Sequence, residues 1–175
     1  ENQGTVAGAE VAYMKSSAKV TQIIVPDYVT VNGVQYKVTS VSDNALKNNK
    51  TVIKIKIGNN VTSIGTNAFS GCKKLKSVTI GKNVTAIGNN AFKKCTALKK
   101  VIIPARVTSI GKNAFAGCKK LKNVIVKTKV LKKIGKNAFK GINKTAKIKV
   151  PKKQLKKYQK LFKKAKLARN IKIVN

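Results

Sequence analysis

The chain has 175 residues, with 39 lysine or arginine side chains against four acids, no histidine and three cysteines, for a formal net charge of +35. That balance excludes most routes to general acid–base catalysis, to serine–histidine–acid triads and to ordinary metal sites. The length suits one domain with a continuous core, and no apolar run approaches the roughly 20 residues of a transmembrane helix.

The four acids, Glu1, Glu10, Asp27 and Asp43, all lie in the first 43 positions, whereas 36 of the 39 basic residues lie beyond them. Thirty-seven of the bases are lysine; only Arg106 and Arg169 are arginine. Lysine is a well-hydrated point charge, while bidentate reading of phosphates and base edges favours arginine. This basicity therefore points to solubility or diffuse attraction and not to specific nucleic-acid recognition. The sequence starts at Glu1 without methionine, so a secretory signal is expected to have been removed or left out.

Residues 1–19 form a weakly patterned N-terminal segment with one candidate strand, Val11 to Met14. Val20, Ile23 and Val25 before Pro26 then share the spacing of Leu98, Val101 and Ile103 before Pro104, which marks a first, incomplete coil. The insertion at residues 28–37 places Asn32-Gly33 between two alternating apolar runs. Asn-Gly favours a type I′ hairpin because both turn residues need positive φ. This hairpin is read as an N-terminal cap on the open end of the stack.

Full repeats begin near Val38, Val61, Val84, Val107 and Leu131, with a period of 23 residues. Isoleucine recurs at Ile64, Ile87 and Ile110, asparagine at Asn67, Asn90 and Asn113, Ala-Phe at Ala68-Phe69, Ala91-Phe92 and Ala114-Phe115, and cysteine at Cys72, Cys95 and Cys118. Such a period is the mark of a solenoid in which each unit buries its face against its neighbours. The first unit is degenerate, with Leu46 and Asn49 in the phenylalanine and cysteine slots; the last arrives one residue late and has Ile142 in the cysteine slot. Within a unit, Leu75-x-x-Val78-x-Ile80 reads as a short strand, so stacked units form a parallel sheet. Val84 and Ile87 read as a second, shorter extended segment. Residues 66–69 are too few for a stable α-helix and read as a helical turn left through Gly71, Gly117 or Gly141. Lys94 stands at that glycine position, which predicts that positive φ is not mandatory there.

At Pro151 the pattern changes. Leu155, Tyr158, Leu161, Phe162, Ala165 and Leu167 fall at helical spacing, predicting an amphipathic helix to about Ala168, and Asn170 to Val174 alternates like a last strand. The organisation is thus a solenoid over residues 20–150 and a C-terminal helix–strand cap over 151–175.

The I-G-x-N-A-F-x-x-C run following L-K-x-V, seen from Leu75 to Cys95 and repeated along the chain, resembles the BspA-like, or Treponema pallidum-type, bacterial leucine-rich repeat. The likeness covers about Val20 to Pro151, and Pro26, Pro104 and Pro151 fill a place after the strand where that family often has proline. It implies an α/β leucine-rich repeat solenoid, mainly β, in a secreted or cell-surface bacterial protein of the kind linked to adhesion to host matrix proteins or other cells. The family has no shared catalytic residues to carry over, and its members differ in partner.

Four groups of residues are candidates for function. The cysteine ladder fits three small buried hydrophobes better than a thiolate or redox site, since Ile142 fills the same slot. The asparagines Asn44, Asn67, Asn90, Asn113 and Asn137 fit caps of the helical turn or bonds to the next coil better than ligands for a sugar or an ion. The N-x-T sequons at Asn49, Asn60, Asn83 and Asn143 read as incidental in a bacterial chain.

Lys73, Lys74, Lys76, Lys99, Lys119, Lys120 and Lys122, with Lys100, stack along one flank as a candidate polyanion surface, and Lys82, Arg106, Lys127, Lys129, Lys132 and Lys133 gather near the other. Two like charges 5 Å apart in water repel by roughly 0.8 kcal/mol, so such rows work against folding unless salt or an anionic polymer offsets them. The bland alternative is a solvated, highly soluble surface. The inferred concave positions, Gln22 and Ile24, Lys54 and Lys56, Ser77 and Thr79, Lys100 and Ile102, Asn123 and Ile125, and Lys147 and Lys149, form a candidate binding surface for a protein partner.

The expected function is therefore a non-enzymatic, exported bacterial binding protein with no cofactor and no metal. Its expected partner is a host matrix or cell-surface protein, or an anionic polymer such as teichoic acid or acidic glycan. The alternative is a structural, wall-associated module held by anionic polymer.

Overall fold

The computed structural model describes residues 20–175; the strand expected at Val11 to Met14 lies outside them. The described chain winds into a stack of coils with two parallel β-layers. The first comprises β1 (Gln22–Val25), β5 (Lys54–Ile57), β7 (Ser77–Thr79), β9 (Lys100–Ile103), β11 (Asn123–Val126), β13 (Lys147–Lys149) and β14 (Lys172–Val174). The second is built from two-residue strands, β4 (Ser40–Val41), β6 (Ser63–Ile64), β8 (Ala86–Ile87), β10 (Ser109–Ile110) and β12 (Lys133–Ile134), paired without a break in the order β12-β10-β8-β6-β4.

The first layer departs from the single sheet that the repeat predicts. Its strands pair as β1-β5-β7 and as β9-β11-β13-β14, and no ladder joins β7 to β9. Val78 is accordingly half-buried, whereas its counterparts Ile55, Val101, Val124 and Ile148 are buried. The unbroken second layer carries the stack across the gap.

The third side of each coil holds the N-A-F turn. Its backbone alternates: the N–H groups of Asn67, Phe69 and Gly71 donate to the carbonyls of Asn89, Ala91 and Lys93 in the next coil at 2.7–2.9 Å, while those of Ser70 and Cys72 close local turns on Asn67 and Phe69. That alternation requires left-handed residues, and Asn44, Asn67, Asn90, Asn113 and Asn137 all have φ between 54° and 61°. Asparagine tolerates this region better than most residues. The position exiting the turn is left-handed in every unit, at Asn48, Gly71, Lys94, Gly117 and Gly141. The expectation that Lys94 releases this requirement is corrected: Lys94 has φ +59°, and its N–H still reaches the Ala116 carbonyl at 2.8 Å. The ladder imposes the conformation even where the residue disfavours it.

The glycine of the I-G motif has a separate cause. A Cβ on Gly88 would stand 2.6 Å from the backbone of Gly65 in the preceding coil, and one on Gly111 would stand 2.5 Å from that of Gly88, so at this corner the coils approach too closely for a side chain.

Between the layers lies one core of stacked identical side chains. Phe69, Phe92, Phe115 and Phe139 stack with ring centroids 5.1–5.2 Å apart, a spacing suited to favourable aromatic contact. Phe162 extends the column at 5.4 Å. It comes from α1 (Leu155–Lys164), which follows a short 3-10 turn (Lys152–Gln154) after Pro151. The helix ends four residues before the predicted Ala168, because Lys166 turns left-handed at φ +60°. Past the helix end, the Ala165 carbonyl accepts the Asn137 N–H at 2.8 Å, copying the bond that every other coil makes to its successor. The cap thus presents the last repeat with a substitute for a following coil, and β14 pairs parallel with β13.

The additional residue of the last repeat is absorbed by polar contacts that the sequence did not reveal. Thr128 is buried; its hydroxyl donates to the Val107 carbonyl at 2.7 Å, and its carbonyl accepts the Tyr158 hydroxyl at 2.9 Å. The Tyr158 oxygen also accepts the Leu131 N–H at 3.1 Å. At the other end, β2 (Tyr28–Val31) and β3 (Val34–Lys37) form the antiparallel hairpin expected, with Asn32 at φ 51° and Gly33 at φ 76°. Its strands pair only with one another among the described residues; Val29 packs on the core, and Tyr28, Val31 and Val34 stay exposed.

Candidate binding surface

Strand pleating divides each unit of the first layer into an inner and an outer row. In the N-terminal block Gln22 aligns with Lys54 and Ser77, and Ile24 with Lys56 and Thr79. In the C-terminal block Lys100, Asn123, Lys147 and Lys172 form one row, and Ile102, Ile125, Lys149 and Val174 the other. These side chains point outward and are exposed, save Ile102 and Ile125, which are half-buried by their neighbours. The twelve positions inferred from the repeat therefore share one face, divided into two blocks by the β7/β9 gap. Lys172 and Val174 extend that face by one strand and were missed; the alternation of residues 170–174 was their available signal.

The flank lysines Lys73, Lys74, Lys76, Lys99, Lys119, Lys120 and Lys122 are all exposed. Lys99 and Lys122 lie in directly bonded coils, the Lys122 N–H donating to the Lys99 carbonyl at 3.0 Å. Lys73 and Lys74 join Lys50 around a shallow cleft of about 650 Å³, and Lys119 joins Lys144 and Asn170 around another of about 550 Å³. Lys82, Arg106, Lys127, Lys129 and Lys132 are also exposed, on the coil corners beyond the strand ends, and Lys133 is exposed within β12.

Few anionic groups oppose this charge. Of the two described acids, Asp27 accepts the Asn60 N–H at 2.8 Å and Asp43 the Thr66 N–H at 2.5 Å. Asn59 and Asn89 make the equivalent bonds to Lys82 and Lys112. The carboxylates thus serve as coil-corner acceptors, interchangeable with asparagine.

The cysteines are buried, and each thiol donates to a carbonyl of the preceding coil, that of Leu46, Phe69 or Phe92, at 3.1–3.2 Å. Burial pushes the Cys72 thiol up to about 11 and Cys118 up to about 12, and raises Cys95 well above its ordinary range. They are neutral thiols at physiological pH, in keeping with their reading as small hydrophobes.

The asparagine expectation is corrected in its cause. The recurring Asn67 series acts through left-handed backbone rather than a side-chain cap, and the buried Asn90 Oδ1 has no partner. Side-chain bonding belongs instead to other asparagines: the corner residues Asn59 and Asn89, and three of the sequon residues, of which Asn60 donates to the Asp27 carbonyl at 3.1 Å. Asn49 accepts the N–H groups of Thr51 and Val52, and Asn143 accepts the N–H and hydroxyl of Thr145. These are local turns that use both ends of the N-x-T triplet.

Among the described residues no helix is long and apolar enough to cross a membrane. The model of the BspA type leucine rich repeat region matches residues 39–172 in six copies. The fold is similar to the crystal structure of a T. pallidum leucine-rich repeat protein, with a TM-score of 0.67 and 26% identity over 77% of this chain and 60% of that one. It is also similar to a leucine-rich repeat protein from Bacteroides capillosus, with a TM-score of 0.57 and 30% identity over 63% of this chain and 78% of that one. A leucine-rich cell surface protein of Faecalibacterium prausnitzii matches with a TM-score of 0.50 and 26% identity over 76% of this chain and 48% of that one. The chain thus spans about 60% of the length of the T. pallidum protein. No curated protein matches. With its repeats matched over most of its length and its coils stacked as the motif requires, the chain belongs to the BspA-type leucine-rich repeat family.

Proposed function

We propose that the chain is a non-enzymatic, exported bacterial surface protein that binds a host matrix or cell-surface protein through the outer face of its first β-layer. The observation that carries this reading is the half-exposed Ile102–Ile125 pair, which is followed in its row by Lys149 and lies beside the row Lys100, Asn123, Lys147 and Lys172. Apolar contact area bordered by hydrated charge is the composition of a protein-binding face. The similarity to a cell surface protein of F. prausnitzii supports the location.

A second reading rests on the exposed flank lysines: a wall-associated module held by anionic polymer such as teichoic acid or acidic glycan. Nucleic acid is disfavoured, since arginine is scarce and no aromatic residue stands among these rows. The Ile102→Asp/Ile125→Asp double variant separates the two readings. Loss of at least about tenfold in affinity for a matrix protein, with thermal unfolding little changed, is expected for the sheet face. Unchanged affinity would remove that face as the site.

A further inference from the structure

The β7/β9 gap opens into a cleft of about 440 Å³ whose walls come from the ends of both strands, including Val78, Ile80, Ile102 and Pro104. Its origin lies in the local sequence. Where the preceding coil has Gly81-Lys82, the next has Pro104-Ala105, and proline followed by a small side chain leaves a notch between Lys82 on one side and Lys127 on the other. The walls are mainly apolar, with Asn59 and Thr79 as their polar members, and both lysines are exposed.

We propose that this cleft is a side-chain pocket for an acidic peptide segment of a protein partner, taking an aliphatic side chain against Val78, Ile102 and Pro104 while flanking carboxylates meet Lys82 and Lys127. Charge complementarity selects this occupant: no acid lines the cleft, and the two described carboxylates, Asp27 and Asp43, accept the Asn60 and Thr66 N–H groups elsewhere. The aliphatic group follows from the cleft itself, which lacks aromatic walls and offers no stacking surface for a base. The inference deepens the reading of the sheet as a protein-binding face by naming the chemistry taken at its central gap.

The test is fluorescence anisotropy with a labelled peptide holding one Leu between two Glu pairs, against the same peptide with Ser for Leu, at physiological salt. The Leu peptide is expected to bind at least about tenfold more tightly, because burying a leucine side chain is worth more than that ratio. Ala105→Trp, at an exposed position, is expected to fill the notch and abolish the difference; Lys82→Glu/Lys127→Glu is expected to abolish binding of both peptides, and Lys74→Glu on the opposite flank to leave it in place. Equal binding of the two peptides, or a Leu preference that survives Ala105→Trp, would overturn the pocket. A preference that is lost in Ile125→Asp but kept in Ala105→Trp would overturn the pocket while leaving the sheet-face reading intact, since Ile125 does not line the cleft.

Discussion

At Asn90 and Lys94 the backbone turns left-handed twice in five residues, and both turns exist to aim an N–H along the solenoid axis. An L-residue in this region costs roughly 1–2 kcal/mol, and glycine removes most of that at an unfolded-state cost of about 0.5–1 kcal/mol. Lys94→Gly is therefore expected to leave stability unchanged or raise it by up to about 1 kcal/mol, and Asn90→Ala to lower it by about 1 kcal/mol, as read from urea midpoints. A marked loss in Lys94→Gly would show that the lysine side chain itself supports the coil. The recurrence of Asn and Gly was legible in the sequence, but its reason was not. An axial hydrogen bond to a coil 23 residues away leaves no local trace. One lysine in the slot was enough to suggest, wrongly, that the conformation was optional.

The elements divide into those that the repeat specifies and those set by departures from it. Val61, Ile64, Phe69, Cys72 and Leu75 recur in phase, and their burial was readable from phase alone. The phenylalanine column is the clearest case. Phe92→Ala is expected to cost about 3–5 kcal/mol, because it removes a ring stacked on both neighbours and the turns held to adjacent coils cannot collapse into the void. Hydrogen exchange should then accelerate in the coils on both sides, as nearest-neighbour coupling requires. Exchange that rises only in the mutated coil would contradict a shared column. The β7/β9 gap, by contrast, was hidden, since residues 75–80 and 98–103 follow one template and differ only in side chains that the template tolerates. The helix of the cap was legible from its spacing; its role as a substitute coil, through Phe162 and the Ala165 carbonyl, depended on packing across 23 to 28 residues.

On the scale of the molecule, a core of uncharged side chains carries a surface whose formal charge is +35, with Asp27 and Asp43 engaged in backbone bonds. Composition alone made the charge legible. Its arrangement into a sheet face with an apolar strip and a separate lysine flank followed from the register, which the alternation within each strand anticipated. Binding by charge alone falls steeply with salt, whereas apolar contact survives it. The direct measurement is therefore binding of the purified chain to matrix proteins, teichoic acid, acidic glycan and DNA, each at low and at physiological salt. Selective binding to one protein that persists at physiological salt is the predicted result. Uniform binding to every polyanion, lost as salt is raised and accompanied by no protein partner, would contradict it.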